Sequence, residues 1–317
     1  MADVITPPHL GSIERAATRA AFLTLVQQRR PAIYSFSAAQ SAAWSDQVID
    51  GLRGTRLPAC FPEGSRSATA PPPYATFYGQ MRDFMTVSLR RKRTIDDCRA
   101  SGRRWIVSGI NSETPQGSDV LGALDELMPS GCTTDFTGCW ISSAGCDTSL
   151  HFDAFDPDNF HFVACGAKEI VLFPPDEAEN LYCFGGPRYL TRFAAAVDPF
   201  RPDMARFPRY GSVSTGLRAT LNAGDVVYIP AFYWHALVHT GALNLSFTRW
   251  YYAPADAQPR LPSVAARVHL NAIRMLLLEP VRDAVCAVCG SPVLVGLVLA
   301  LLVSCAHFVS SSSADAT

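Results

Sequence analysis

Apolar and polar positions alternate with two different periods along this chain, and the period predicts the element. Near the start, Ile13, Ala17, Ala20, Ala21, Leu25 and Val26 recur at helical spacing over residues 12–30. Ser12 is the expected cap and Pro31 the stop. A short strand, Ala32 to Phe36, and a second helix, Ala42 to Leu52, are expected next. Residues 54–73 are rich in Pro, Gly, Ser and Ala and end in Pro71-Pro72-Pro73, the composition of an exposed loop. Beyond it the pattern predicts a helix from Phe77 to about Leu89 and a strand from Trp105 to Ile110. A helix over 118–128 and a strand from Cys139 to Ser143 follow.

Strands then dominate. Residues 159–163 and 168–173 read as two strands joined by a turn at Gly166. Val226 to Ile229 is a buried strand between the Gly224-Asp225 turn and Pro230, and Asn244 to Tyr252 is another. Between these groups, Phe184 to Ser214 holds four prolines and six aromatic residues. A segment this long inside a compact domain reads as a substrate-facing lid, with a packed crossover as the alternative. Pro262 to about Leu278 carries an apolar stripe of Val264, Val268, Ala272, Ile273, Leu276 and Leu277, broken by Pro280. Pro292 to Val309 is 18 residues without a charge. At ~1.5 Å per residue that just spans a ~30 Å hydrocarbon core. The chain is therefore expected to divide into a domain over 1–260, an amphipathic helix over 261–285 and a transmembrane helix over 290–310. Such a tail anchor would leave the preceding domain facing the cytosol; the alternative is a core helix of a cytoplasmic protein.

Composition narrows the classes. A net charge of −1 does not favour a protein built on phosphate contacts. The run Arg90-Arg91-Lys92-Arg93, with Arg103-Arg104, reads as a solvated helix end, with RNA or anionic lipid as the alternative partner. Met1 to Pro8 has no apolar run, so no secretory signal is expected and the ten cysteines read as cytosolic thiols. Cys286-Ala-Val-Cys289 lacks a second pair, and structural zinc is not expected.

The chemistry concentrates in two stretches, 146–175 and 224–235. His151 and Asp153 are two apart, so on a strand they share a face while Phe152 turns the other way. His235 in the second stretch adds another imidazole, just past the expected strand end. Two imidazoles and one carboxylate on one ion, with positions left open, form the facial triad suited to non-haem Fe(II). His161 lies two residues after Asn159, on the face that would meet substrate, and His239 is expected to pack. His9, His269 and His307 have no partner pattern and are read as structural.

The order His151-Phe152-Asp153, Asn159, Gly166-Ala167-Lys168 and His235 resembles the JmjC and cupin-like family of Fe(II)- and 2-oxoglutarate-dependent oxygenases. The likeness is greatest to the hydroxylases typified by the asparaginyl hydroxylase that inhibits hypoxia-inducible factor. It covers about residues 20–255. The resemblance implies a mainly β fold, a double-stranded β-helix or jelly roll with flanking helices. It implies His151, Asp153 and His235 as catalytic iron ligands and Lys168 as the partner of the distal carboxylate of 2-oxoglutarate. It places Thr148, Asn159, Trp105 and Thr248 beside that co-substrate. Trp105 stands where the family has a phenol, and Thr248 where the asparaginyl hydroxylase has an asparagine. The segment between Asp153 and Asn159 is two residues longer than in that enzyme.

The implied activity consumes Fe(II), 2-oxoglutarate and O2, releases succinate and CO2, and hydroxylates a protein side chain. A tRNA base or a methylated lysine is the alternative substrate. A homodimer through the 262–278 helix is a further expectation, since helices after the barrel serve that role in relatives. The reading from another class is a membrane-tethered cupin-like binding module without turnover.

Overall fold

The computed structural model describes residues 6–60, 92–111, 118–153, 157–182, 195 and 197–254. Eight antiparallel strands build the core. On one side β7 (Thr133–Ser143), β14 (Leu243–Tyr252), β9 (Asp158–Cys165) and β12 (Asp225–Ile229) are hydrogen-bonded in that order. On the other, β8 (Asp147–His151), β13 (Trp234–His239), β10 (Ala167–Phe173) and β11 (Leu217–Asn222) pair in that order. This is a jelly roll: two sheets whose inner faces enclose one interior.

Shorter strands extend both sheets. β1 (Gly11–Ser12) joins the edge of the smaller sheet beside β11, making five strands. The larger sheet gains β2 (Glu14–Arg15) and β3 (Ala32–Ser35) at one edge. At its other edge lie β6 (Ile106–Asn111), β4 (Leu57–Cys60) and β5 (Lys92–Arg93), making nine.

Period-two alternation sorts the side chains into three layers. Val163, Ile170, Leu172, Leu221, Val227, Ile229 and Leu237 meet between the sheets. Phe160, Phe162, Tyr228, Phe247 and Tyr251 face outward from the larger sheet and pack under helices. Those helices are α1 (Arg19–Gln27), α2 (Ala38–Gly51), α3 (Ile95–Ala100) and α4 (Ser118–Asp125). Leu150, Phe152, Val171, Phe173 and Trp234 face outward from the smaller sheet. Because β9 is covered on both faces it reads as an almost unbroken buried run, with the sequence Asp-Asn-Phe-His-Phe-Val-Ala-Cys.

Several expectations are corrected. The helix expected over 12–30 begins only at Arg19, where the Thr18 hydroxyl accepts from Ala21 N–H. Ser12 caps nothing; residues 11–15 are drawn into parallel ladders with β11 and β3, and Ile13 turns into the space between the sheets. Tertiary pairing here overrides helical periodicity. The second helix starts at Ala38, because Ser37 and Gln40 close a capping box ahead of the expected start. β7 is eleven residues long, since it pairs with the whole of β14. The described residues of the expected lid, among them Ala195, Val197, Phe207, Tyr210 and Val213, pack onto the outer face of the smaller sheet. These residues pack as the crossover reading has it, while 184–194 and 196 lie outside the described residues.

Among the described residues no helix is long and apolar enough to cross a membrane. The helices expected at 77–89, 261–285 and 290–310 lie outside those residues, as do the dimer surface, His269, His307 and the Cys286/Cys289 pair.

The turn between β9 and β10 orients the pocket described below. Gly166 has φ 85°, and a Cβ there would lie 2.3 Å from Leu243 O and 2.5 Å from Asn244 Oδ1. Left-handed backbone and a close approach both require glycine. Gly166→Ala is expected to cost at least about 2 kcal/mol of stability. A urea denaturation series should show a clearly lower midpoint, and an unchanged midpoint would mean that the turn relaxes freely.

Candidate metal centre and anion pocket

His151 ends β8, and its direct cross-strand neighbour is His235, the second residue of β13. His235 therefore lies inside a strand and not beyond one. The turn that delivers it holds Phe232 at φ 68°, a costly conformation for a bulky residue, kept by burying its ring against Phe152. Asp153 follows two residues after His151, with Phe152 buried in the outer cluster, so the alternation expected from sequence continues past the end of the strand.

The two imidazoles are fixed in orientation and tautomer. His151 Nδ1 lies 2.7 Å from Ser149 O, and His235 Nδ1 lies 3.0 Å from Tyr233 O. A carbonyl can only accept, so each Nδ1 donates, and in the neutral ring Nε2 is then the nitrogen able to coordinate a metal. Both Nε2 atoms stand 3.7 Å from Asp153 Oδ1, too far for a hydrogen bond. One ligand atom from each of the three residues lies within 4.8 Å of the others. Metal bonds of about 2.0–2.2 Å fit such a set, and carbonyl-anchored histidines are the usual support of a metal site. Burial and the neighbouring His235 push His151 down to about 4, so it stays neutral and able to coordinate at neutral pH. Asp153 is held from behind: Asn159 Nδ2 donates to its Oδ2 at 2.7 Å, leaving Oδ1 toward the imidazoles. Asn159 Oδ1 is buried without a hydrogen-bond partner among the described residues. Next to it, Asp158 Oδ1 accepts from Tyr228 O–H and Ala231 N–H, locking β9 to the turn that leads into β13.

Behind the triad lies a row of buried polar side chains. Lys168 is 1% exposed. Its Nζ donates to Ser246 Oγ at 2.6 Å and to His161 Nε2 at 3.1 Å. His161 Nδ1 in turn meets Thr248 Oγ1 at 3.0 Å. His239, directly opposite Lys168 across the β10–β13 ladder, is joined to Ser142. No carboxylate among the described residues lies within ion-pair distance of Lys168. Burial pushes Lys168 down to about 7. Burial and then the Lys168 charge hold His161 and His239 well below the usual histidine range. A buried amine ringed by neutral acceptors, when protonated, has no counter-charge among the described residues.

The expected co-substrate residues divide. Thr148 lies opposite Leu237, an interior residue, although it is three positions from His151. A bulge across the His235–Leu237 step restores its face, which strict alternation would have reversed. Asn159, Lys168 and Thr248 are buried on the inner face with the triad. Trp105 is not: its indole sits in the cluster under the helices, on the far side of the larger sheet. Its place in the chain is near the family's phenol, but the residues before β6 pass outside the barrel and hydrogen-bond to Ser143 there. His161, expected to meet substrate, and His239, expected to pack, both lie in the buried polar row beside Lys168. Ser142 and Ser246 were missed; the inward parity of Ser246 and Thr248 on one strand was the available signal.

A jelly roll with two histidines and one carboxylate converging inside it, and a buried amine behind them, is a cupin-like barrel with a candidate metal centre. Residues 80–257 match the family model described as a cupin-like domain, and the chain belongs to that family. It is 27% identical over 171 residues to HSPB1-associated protein 1 of Bos taurus, covering 54% of this chain and 34% of that protein. It is 28% identical over 165 residues to the human bifunctional peptidase and (3S)-lysyl hydroxylase JMJD7, covering 46% and 48% respectively. It is 31% identical over 119 residues to the tRNA wybutosine-synthesizing protein 5 of Gallus gallus, covering 37% and 34%. The chain thus spans about a third of the first relatives' length. These likenesses carry the family and do not single out the asparaginyl hydroxylase.

Lys168 also makes a stability prediction. An unfolded lysine titrates near about 10.4. Between about pH 7 and that value the unfolded chain holds a proton that the folded chain does not, so this residue's contribution rises with pH across the window. Its cost is fully present at and below pH 7. Lys168→Met should therefore stabilise the ligand-free protein at pH 7, outweighing two hydrogen bonds of about 1 kcal/mol each, with the gain shrinking toward pH 10. Thermal melts from pH 6.5 to 9.5 check this, and destabilisation at pH 7 would mean the amine is already compensated within the fold.

Proposed function

We propose that the chain is an Fe(II)- and 2-oxoglutarate-dependent oxygenase that hydroxylates a protein side chain. The observation that carries the reading is the pairing of a three-donor centre with a buried amine that has no acid beside it among the described residues. His151 and His235 would hold the ion through Nε2 and Asp153 through Oδ1, with Asn159 keeping the carboxylate turned. Lys168 would neutralise the distal carboxylate of the co-substrate, and a charge-assisted bond in so dry a place is among the stronger kinds. Ile170, Leu172, Val227 and Leu237 line the space between the sheets with apolar groups that keep water out. The chemistry that Fe(II) supplies when bound is O2 activation coupled to decarboxylation of 2-oxoglutarate. Substrate C–H, 2-oxoglutarate and O2 become substrate C–OH, succinate and CO2.

A protein substrate is preferred because one relative is named a lysyl hydroxylase and another by its association with a protein, HSPB1. The tRNA-base reading draws on the relative named for wybutosine synthesis. A binding module without turnover would have no need for two histidines locked with their lone pairs toward one carboxylate oxygen.

Asp153→Ala removes the only anionic donor of the three. Succinate formation from 2-oxoglutarate should fall to the level of a control without enzyme, while far-ultraviolet circular dichroism stays unchanged. Undiminished succinate from a folded variant would refute the assignment of the centre.

A further inference from the structure

We propose that His161 is a positioning residue that sets the chain length of the acid the pocket accepts, an inference that rests on the oxygenase reading above. When protonated, the amine of Lys168 can only donate, so His161 Nε2 accepts and His161 Nδ1–H donates to Thr248 Oγ1. One imidazole thereby ties together two side chains from different strands, Lys168 on β10 and Thr248 on β14. Thr248 is also the direct cross-strand neighbour of His161, so the ring has a rigid anchor on one side and a flexible amine on the other. Ser246 Oγ, fully buried, pins that amine from a second direction.

Length selectivity follows from this brace. A lysine side chain has four rotatable bonds and could normally follow carboxylates at different depths. Here Nζ is held at one point, and the metal donors are held at another by carbonyl-anchored imidazoles. His161 is buried on the same inner face, and burial, then the charges of Lys168, His239 and His235, lower its proton affinity. Two fixed ends define one span. On the oxygenase reading that span is the length of a five-carbon 2-oxo diacid, so a four-carbon one would fall short and a six-carbon one would have to fold. The brace leaves one N–H of the protonated amine and the Thr248 hydroxyl proton without a protein acceptor among the described residues, and these serve the ligand.

The test measures equilibrium binding to the full-length chain with Mn(II) in place of iron, so that no turnover is needed. Affinities are taken for 2-oxoglutarate, oxaloacetate, 2-oxoadipate and 2-oxopentanoate, the last lacking a distal carboxylate. In wild type, 2-oxoglutarate should bind most tightly. In His161→Phe, which keeps an aromatic ring but neither hydrogen bond, its advantage over oxaloacetate and 2-oxoadipate should shrink by about tenfold. Mn(II) and 2-oxopentanoate affinities should not change. Thr248→Val, which removes the acceptor at the far end of the brace together with a hydroxyl donor to the ligand, should shift the ratios in the same direction and serves if His161→Phe does not fold. Unchanged ratios in a folded variant would overturn the proposal, as would equal weakening of 2-oxopentanoate, which marks a general structural role. Wild-type protein that fails to prefer 2-oxoglutarate over 2-oxopentanoate would overturn the oxygenase reading itself, whatever the variants do.

Discussion

A primary amine fully buried inside a protein must be hydrogen-bonded, neutralised or deprotonated. In this chain Lys168 satisfies the first condition through Ser246 and His161, and burial pushes it toward the third. The second condition is unmet among the described residues. Much else in the barrel accommodates that amine. Neutral histidines surround it, because another cation would be repelled, and hydroxyls from β7 and β14 complete the polar row. Aliphatic residues of both sheets fill the interior beside it. On the proposed function, the acid that the barrel takes up supplies the missing counter-charge.

The same economy governs the triad. Neither imidazole is free to choose its tautomer, because a backbone carbonyl claims Nδ1 in each. Asp153 cannot swing away, because Asn159 holds its second oxygen, and Asn159 is fixed by a strand that Asp158 bolts to the turn before His235. The centre is thus organised before any ion arrives, at the expense of a left-handed Phe232 in that turn. The bulge in the β8–β13 ladder does the corresponding service for Thr148, bringing it to the inner face.

How far the sequence discloses this depends on whether a residue's neighbours are local. His151 and Asp153 were legible because their spacing matches the strand period, and His235 because a glycine turn and a strand point to its place. Lys168 was legible through its turn, whose glycine the close approach of Leu243 requires. The pocket around Lys168 was not legible. His161, His239, Ser142 and Ser246 come from four strands, and only the pairing of those strands makes them one cluster. Trp105 misled for the same reason in reverse: its position along the chain suited the pocket, but β6 puts it under the helices. Residues 11–15 look helical and are strands, because two sheet edges nearby offer hydrogen bonds that the local period does not record.

The central claim is that one cavity holds a three-donor metal centre and a site for the acid that chelates the metal. Anaerobic addition of Fe(II) and then 2-oxoglutarate to the full-length chain tests both halves at once by visible absorption. The account predicts a weak charge-transfer band that appears only when both are present and saturates at one equivalent of each per chain. A folded protein that binds Fe(II) yet shows no band with saturating 2-oxoglutarate would contradict it.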